Sequence, residues 1–94
     1  MNLQVTDISV EIRLSNKPGP VNAYADVRLT TSEGALFLKG YAVIRKNGSP
    51  PFVGFPSRPG NTPGKFFAVV DAEGDIRKAI VDAILVAFPK VWKD

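Results

Sequence analysis

The 94-residue sequence predicts an α+β fold, with a small antiparallel β-sheet of about five strands followed by one C-terminal amphipathic helix. Two observations carry this prediction. Apolar and polar residues alternate strictly in the first third of the chain, and the apolar spacing changes to a helical period after Gly74. Between them, Pro/Gly turns separate short β-prone runs. We expect residues 1–94 to form a single domain, because this length supports one modest core.

The first two strands are predicted from period-2 alternation over Val5–Leu14 and Val21–Leu29. The Pro/Gly-rich residues 16–20 between them indicate a turn, so the two runs form an antiparallel hairpin with one face on the core. The residues expected to face the core are Ile8, Val10, Ile12, Leu14, Val21, Ala23, Ala25, Val27 and Leu29.

A third strand is predicted over residues 35–45, although its alternation is imperfect. Gly40 interrupts the middle of this run, and a glycine inside a strand often marks a β-bulge. The Asn47-Gly48 pair that follows is a strong signal for a tight turn.

A long hairpin is predicted from the two apolar runs Phe52–Phe55 and Phe66–Val70, which lie ten residues apart. The connection is rich in Pro and Gly, so it cannot be helical. The Pro-Gly pairs at 59–60 and 63–64 predict two successive type II turns. We expect a stiff loop that presents Arg58, with Lys65 at its foot.

The C-terminal segment has the spacing of one helical face. The residues that recur at this spacing are Ile76, Ala79, Ile80, Ala83, Ile84, Ala87 and Phe88. Asp71 is the expected N-cap, and Pro89 should end the helix near Ala87 or Phe88. Val81, Leu85 and Val86 widen the apolar surface beyond one stripe. Either this helix lies deep in the concave side of the sheet, or the excess meets a second copy, and we expect a homodimer.

The composition excludes several function classes. The chain has no Cys and no His, which removes disulfides, thiolate chemistry, imidazole general bases and the usual zinc ligand sets. A net charge of +3 permits a nucleic-acid partner without requiring one. The N-terminus lacks the pattern of a signal peptide, and no apolar run approaches the length of a membrane span. We therefore expect a cytoplasmic protein.

No pattern predicts catalysis, a metal site or a cofactor. The carboxylates Asp7, Glu11 and Asp26 fall on polar strand faces, where a solvated surface is the commoner outcome. Ser57 has no histidine to activate it, and a pair with Lys65 is conceivable only formally. The acidic residues at 71, 73 and 75 are explained as charges at the helix start. We expect no enzyme and no small-molecule substrate.

The remaining candidate is a set of basic residues suited to nucleic-acid phosphates. Its members are Arg45, Lys46, Arg58, Lys65, Arg77 and Lys78. Lys and Arg that project from one surface bind phosphates, and Arg also reads guanine edges. On residue types alone these charges are more often merely solubilising. Phe55, Phe66 and Phe67 offer base stacking as a lesser alternative to core packing.

Four motifs then give the chain a family resemblance. They are Val5-Thr6-Asp7, Ala25-x-Val27-x-Leu29, Asn47-Gly48 followed by Phe52-Val53-x-x-Pro56-Ser57-Arg58, and Ile76-Arg77-x-x-Ile80-x-x-Ala83-Ile84-Leu85. In this order, over nearly the whole length, they resemble the SpoVG family (stage V sporulation protein G) of bacterial septation and sporulation regulators. The resemblance implies a small antiparallel sheet with a C-terminal helix, homodimerisation, and binding to DNA and to RNA.

The chain departs from the family pattern after Arg58. The family usually continues with a second basic residue, whereas Pro59-Gly60 follows here, and residues 61–64 carry no charge. The loop is therefore less positive than in the family, and weaker nucleic-acid binding is expected. The alternative hypothesis is a protein-interaction module in cell division or regulation, which docks a partner through an apolar helix face or an edge strand without binding nucleic acid.

Overall fold

The computed structural model describes residues 3–46 and 48–92. Its elements, in chain order, are β1 (Val5–Leu14), β2 (Val21–Thr31), β3 (Gly34–Ile44), β4 (Phe52–Gly54), β5 (Ser57–Pro59), β6 (Phe66–Ala68) and α1 (Gly74–Val91). The predicted α+β class, with one C-terminal helix after antiparallel strands, is confirmed.

The first four strands form an antiparallel meander in the order β1-β2-β3-β4. Val27 on β2 lies opposite Val10 on β1 and Leu38 on β3, so all three share the inner face of the sheet. The alternation predicted the β2 side correctly, because Ala23, Ala25, Val27 and Leu29 are buried. Ile8, Val10 and Ile12 on β1 are half-buried, as an outer strand allows.

Gly40 lies in the predicted β-bulge. Between the pairs Ala25–Tyr41 and Val27–Leu38, β3 has one residue more than β2. Gly40 has a φ of 95°, a conformation that glycine adopts at little cost. The Asp26 carboxylate accepts a hydrogen bond from the Gly40 amide at 3.1 Å, which fixes the bulge.

The long hairpin is paired differently from the prediction. Phe52–Gly54 joins β3 as the fourth strand of the sheet, whereas Phe66–Ala68 pairs with Ser57–Pro59 in a separate two-stranded sheet. The predicted pairing of Phe52–Phe55 with Phe66–Val70 is therefore wrong. The β-prone run at 52–55 takes the free edge of β3, which is close in sequence, and the chain then turns back on itself beyond Pro56.

Only one of the two predicted type II turns is present. Gly64 has a φ of 83°, and the Lys65 amide donates to the Thr62 carbonyl at 3.1 Å, as a Pro-Gly type II turn requires. Pro59 instead ends β5, and the Gly60 amide donates to the Lys65 carbonyl at 2.8 Å. Gly60 extends the ladder of the hairpin and is not part of a turn.

Helix α1 covers the inner face of the sheet with one apolar stripe. Ile80, Ile84 and Phe88, spaced four residues apart, are fully buried, as their helical period predicted. They form one cluster with the inner residues of β2 and with Tyr41 and Val43 on β3. Among the described residues, no helix combines the length with the apolar character that crossing a membrane requires.

Both predicted helix boundaries are corrected. Glu73 occupies the N-cap position without a side-chain cap bond, while Asp71 lies two residues earlier and its carboxylate accepts from the Ala72 amide. Pro89 lies inside the helix, which continues to Val91. Proline removes one amide donor there, but the Trp92 amide donates to the Phe88 carbonyl at 2.9 Å and completes the last turn.

The layers cover only one face of the sheet. α1 packs on the inner face, and the outer face, which carries Tyr24, Arg28 and Phe37, has no second layer among the described residues. The Cα radius of gyration is 14.3 Å, with extents of 42 × 36 × 21 Å. A compact chain of this length has a radius of gyration of about 12 Å. The fold is flat because two of its surfaces, the outer sheet face and the β5–β6 hairpin, are left uncovered.

Candidate nucleic-acid interface

The β5–β6 hairpin brings two of the predicted basic residues together. Arg58 lies directly opposite Phe67, and Gly60 lies opposite Lys65 through the amide–carbonyl bond described above. Paired residues on antiparallel strands share a face, and the side-chain period along a strand is two. Arg58, Lys65 and Phe67 therefore occupy one face of the hairpin. We call these three residues the hairpin platform.

The Phe67 ring lies close against the backbone of Gly60. A Cβ atom added at Gly60 would stand only 2.6 Å from Cε2 of the Phe67 ring, a separation that real side chains do not reach. Glycine at this position thus allows the ring to rest on the opposite strand. The ring is held against Gly60, yet 56% of Phe67 remains exposed to solvent.

Phe66 and Phe67 do not have the core role that is the commoner outcome for phenylalanine in a strand. Phe66 is 66% exposed and lies on the opposite hairpin face from Phe67. Both rings are open because β5 and β6 pack chiefly against each other. The hairpin is attached through Pro56, whose carbonyl accepts from the Val69 and Val70 amides at 2.9 and 3.3 Å.

Arg58 projects outward, as its position between Ser57 and Pro59 predicted. It is exposed, and neither its guanidinium nor the Lys65 ammonium has a hydrogen bond or ion pair within residues 3–46 and 48–92. Both cations on the platform are therefore available to an anion. Ser57 lies on the opposite face from Lys65, so the hairpin does not bring this pair together.

Arg77 is engaged within the chain instead. Its guanidinium donates to the Asp71 carboxylate at 2.7 Å and to the Ala72 carbonyl at 2.9 Å. The same group lies 4.1 Å from the centroid of the Phe55 ring, which packs edge-on against Tyr41 at 5.0 Å. Arg77 thus joins the segment before the helix to β4's end. Its neighbour Lys78 is exposed and has no such contacts with described residues.

Arg45 and Lys46 lie at the other end of the molecule. They line a hollow of about 330 Å³ together with Asn22 and Trp92. Trp92 follows the last turn of α1, whereas Arg77 lies in its first turn, and fifteen residues of helix span about 22 Å. The expected single basic patch is therefore divided into a hairpin group and a distant group at the helix C-terminus.

Tyr41 is a buried polar residue that the sequence pattern did not single out. Its side chain is fully buried, and its hydroxyl has no hydrogen-bond partner among the described residues. Burial raises the pKa of the Tyr41 hydroxyl above its ordinary value, and the nearby Arg77 charge opposes that rise in part. The bulge at Gly40 is the signal that turns Tyr41 inward, because it shifts the alternation of β3 by one residue.

The outer sheet face carries a second aromatic and basic group that the sequence did not single out. Arg28 lies opposite Phe37, with its guanidinium 5.4 Å from the ring centroid, and Phe37 is 60% exposed. Asp26 is held by Arg13 at 3.2 Å and by the Gly40 amide. The described part of the chain has no cluster of three or more potential metal ligands.

Compared with models of known protein families and with curated proteins, the chain shows no significant match. The resemblance to the SpoVG family therefore rests on its four motifs alone and stays a prediction.

Proposed function

We propose that this protein is a nucleic-acid-binding regulator that acts in the cytoplasm and binds single-stranded DNA or RNA through the hairpin platform. The observation that carries the proposal is the joint placement of an exposed Phe67 ring between Arg58 and Lys65 on one face. Proteins that bind single strands combine aromatic rings, on which bases stack, with a basic path for the backbone.

The platform favours an unpaired strand over a duplex. Stacking requires a base whose face is open, and one base on an aromatic side chain contributes about 1–3 kcal/mol. Phosphate contacts from Arg58 and Lys65 add a term that depends on salt but not on sequence. The ring rests on Gly60 and the loop is stiffened by Pro63, so little conformational entropy is lost on binding.

The proposal includes a homodimer. Apolar side chains outside the core are numerous for so small a chain, among them Leu36 on β3, Phe52 on β4 and Val86 on α1. Apolar surface that a second copy would cover is left exposed in this way. Two copies would double the platforms and so raise the avidity for a long strand. Light scattering at tens of micromolar checks this part, and a monomeric mass there would refute it.

The platform is tested by fluorescence anisotropy with single-stranded DNA, RNA and duplex at two salt concentrations. We expect Arg58→Ala to weaken single-strand binding by roughly 1–3 kcal/mol and to lower the salt slope by about 0.7–1. Phe67→Leu keeps the apolar volume but removes the ring, so it should weaken binding with an unchanged salt slope. Duplex of equal length should bind less tightly than single strand.

Two matched controls are available in the same fold. Lys46→Ala removes an equal charge at the distant end of the molecule, and Phe52→Leu removes an exposed ring on β4. Each control should change the affinity for single-stranded nucleic acid much less than the matching substitution on the platform, Arg58→Ala or Phe67→Leu. If Arg58→Ala and Phe67→Leu bind like the wild type, the hairpin is not the binding surface and the proposal fails.

The second candidate function is a protein-interaction module, and one groove favours it. Val5 and Ile8 on β1 and Ile76 and Ala79 on α1 line a hollow of about 580 Å³. Asp7 and Asp75 stand at its border. Such a groove suits an apolar segment with basic flanks. A mainly apolar dock responds little to salt, whereas phosphate binding falls steeply, so the same salt series separates the two functions.

A further inference from the structure

The outer face of the sheet contains an open hollow of about 650 Å³, lined by residues of β1, β2 and β3. Ligand sites in proteins typically have volumes of about 300–1,000 Å³. Among its lining residues are Glu11 from β1, Arg28 from β2, and Phe37 and Lys39 from β3. These side chains come from three adjacent strands.

The charges in this hollow are not paired with one another. Arg28 lies over the Phe37 ring, and Asp26 is occupied by Arg13 and by the Gly40 amide. The side chains of Glu11 and Lys39 have no hydrogen bond or ion pair with any described residue. Here a free carboxylate, two cations and an exposed ring line one unfilled space.

The carboxylates exclude a phosphate from the centre of the hollow but suit a base edge that donates hydrogen bonds. Glu11 can only accept while it is ionised. Among the nucleobases, the Watson–Crick edge of guanine presents two adjacent donors, N1–H and the 2-amino group, which match the two oxygens of one carboxylate. Adenine and cytosine each present one amino donor, and uracil presents one imino donor. A single carboxylate acceptor is therefore more complementary to guanine than to the other three bases.

The remaining groups fit the rest of a guanine nucleotide. Phe37 offers a ring face for the base, and the Arg28 guanidinium beside it adds a cation next to the same ring. Lys39 supplies a charge for the phosphate. The path to the hairpin is short, since a Cβ at Gly40, next to Lys39, would lie 3.9 Å from Cβ of Pro56. Ser57, the first residue of β5, follows Pro56 directly.

We propose that this hollow, with Glu11, Arg28, Phe37 and Lys39 as its binding residues, is a guanine site for one nucleotide of the bound single strand. The proposal rests on the single-strand binding proposed above and adds base selection to it. The hairpin platform binds any sequence, and the outer face of the sheet prefers a strand that places guanine beside Glu11.

The test compares short uridine oligonucleotides that carry one central guanine, inosine or adenine. The wild type should bind the guanine oligomer about tenfold more tightly than the adenine one, and inosine, which lacks the 2-amino group, should fall between them. Glu11→Gln converts one acceptor oxygen into a donor and should reduce the preference for guanine to less than about twofold. Asp7→Asn is the matched control, because it removes the same charge from the same face of β1 outside the hollow.

The control separates base recognition from charge. If Glu11 only repels phosphates, Glu11→Gln and Asp7→Asn should each raise the affinity for all three oligomers by a similar factor. That result would overturn the proposal. An equal affinity of the wild type for guanine and adenine oligomers would also overturn it. Circular dichroism of Glu11→Gln and Asp7→Asn shows whether both variants fold.

Failure of the hairpin proposal is distinguishable from failure of this one. Arg58→Ala should weaken binding to every oligomer by the same factor and leave the guanine-to-adenine ratio unchanged. If no oligomer binds the wild type, guanosine monophosphate alone is titrated against adenosine monophosphate while amide shifts of Phe37 and Lys39 are followed by NMR. The site is supported if these amides shift with guanosine monophosphate and not with adenosine monophosphate. It is rejected if neither nucleotide shifts them or if both shift them equally.

Discussion

Substituting Arg77 by alanine should destabilise the protein without removing a nucleic-acid contact. Three interactions are lost with the side chain: the ion pair with Asp71, the hydrogen bond to the Ala72 carbonyl and the contact with the Phe55 ring. The ion pair with Asp71 is exposed on both sides, at 46% and 71% of the two side chains, so it contributes only about 0.2–1 kcal/mol. The guanidinium over Phe55, 4.1 Å from the centroid, adds about 0.5–1 kcal/mol at such a site.

Together these terms predict that Arg77→Ala lowers the free energy of unfolding by about 1–2 kcal/mol. For a domain of this size that corresponds to a fall in Tm of roughly 4–16 °C. Lys78→Ala, at the adjacent position without such contacts, should change stability by less than about 0.5 kcal/mol. Urea unfolding followed by far-UV circular dichroism measures both variants, and the fluorescence of the single tryptophan, Trp92, gives a second probe at the far end of the helix.

A double-mutant cycle then isolates the contact with the ring. Phe55→Leu keeps an apolar side chain but removes the aromatic face, and the cycle with Arg77→Ala should give a coupling free energy of about 0.5–1 kcal/mol. Arg77→Lys keeps the charge but loses the planar group, so it should recover only part of the stability. If Arg77→Ala unfolds with the same midpoint as Lys78→Ala and instead binds single strands tenfold more weakly, our assignment of Arg77 is wrong.

Two further predictions concern the core. Ile80→Ala and Ile84→Ala should each lower the free energy of unfolding by about 2–5 kcal/mol in urea titrations, because both side chains are fully buried in the cluster under the sheet, and a loss no larger than that of Lys78→Ala would contradict this packing. Tyr41→Phe should stabilise the protein by about 1 kcal/mol at neutral pH, since it removes a buried hydroxyl without a partner. The raised pKa of Tyr41 favours the neutral hydroxyl in the folded state, so wild-type stability should be retained below about pH 10 and decline as the pH rises through the folded pKa. The stability of Tyr41→Phe should therefore decline less at high pH than that of the wild type. Tyr24→Phe, which removes an exposed hydroxyl, should keep the wild-type dependence of stability on pH.

The alternation of the first three strands was predictable because it depends on neighbours in the chain. A strand with one buried face must place apolar residues at every second position, and β2 does so from Ala23 to Leu29. The same logic located the bulge at Gly40 and the buried stripe of α1. Predicting these features requires only the local period of the sequence and the fact that one face of each element is buried.

The helix ends and the hairpin pairing were not predictable in this way. Pro89 carries a strong local stop signal, yet the packing of Phe88 and Trp92, whose rings stack at 5.5 Å, holds the last turn in place. Several β-prone runs of similar length compete to pair with the strand at 66–68. Local propensity does not rank such pairings, because backbone hydrogen bonds of one strand are much like those of another.

The candidate site divides along the same line. The sequence by itself determined the α+β class, the two strand faces, the buried helical stripe and the choice of Arg58 and Lys65 as candidate binding cations. Only the tertiary structure decided that Arg77 is occupied by Asp71 and Phe55, that Arg45 lies at the opposite end, and that Phe67 is exposed beside Arg58. Residue type fixes a charge or a ring, but its availability to a ligand depends on the partners that distant segments bring near it, and no local period encodes those partners.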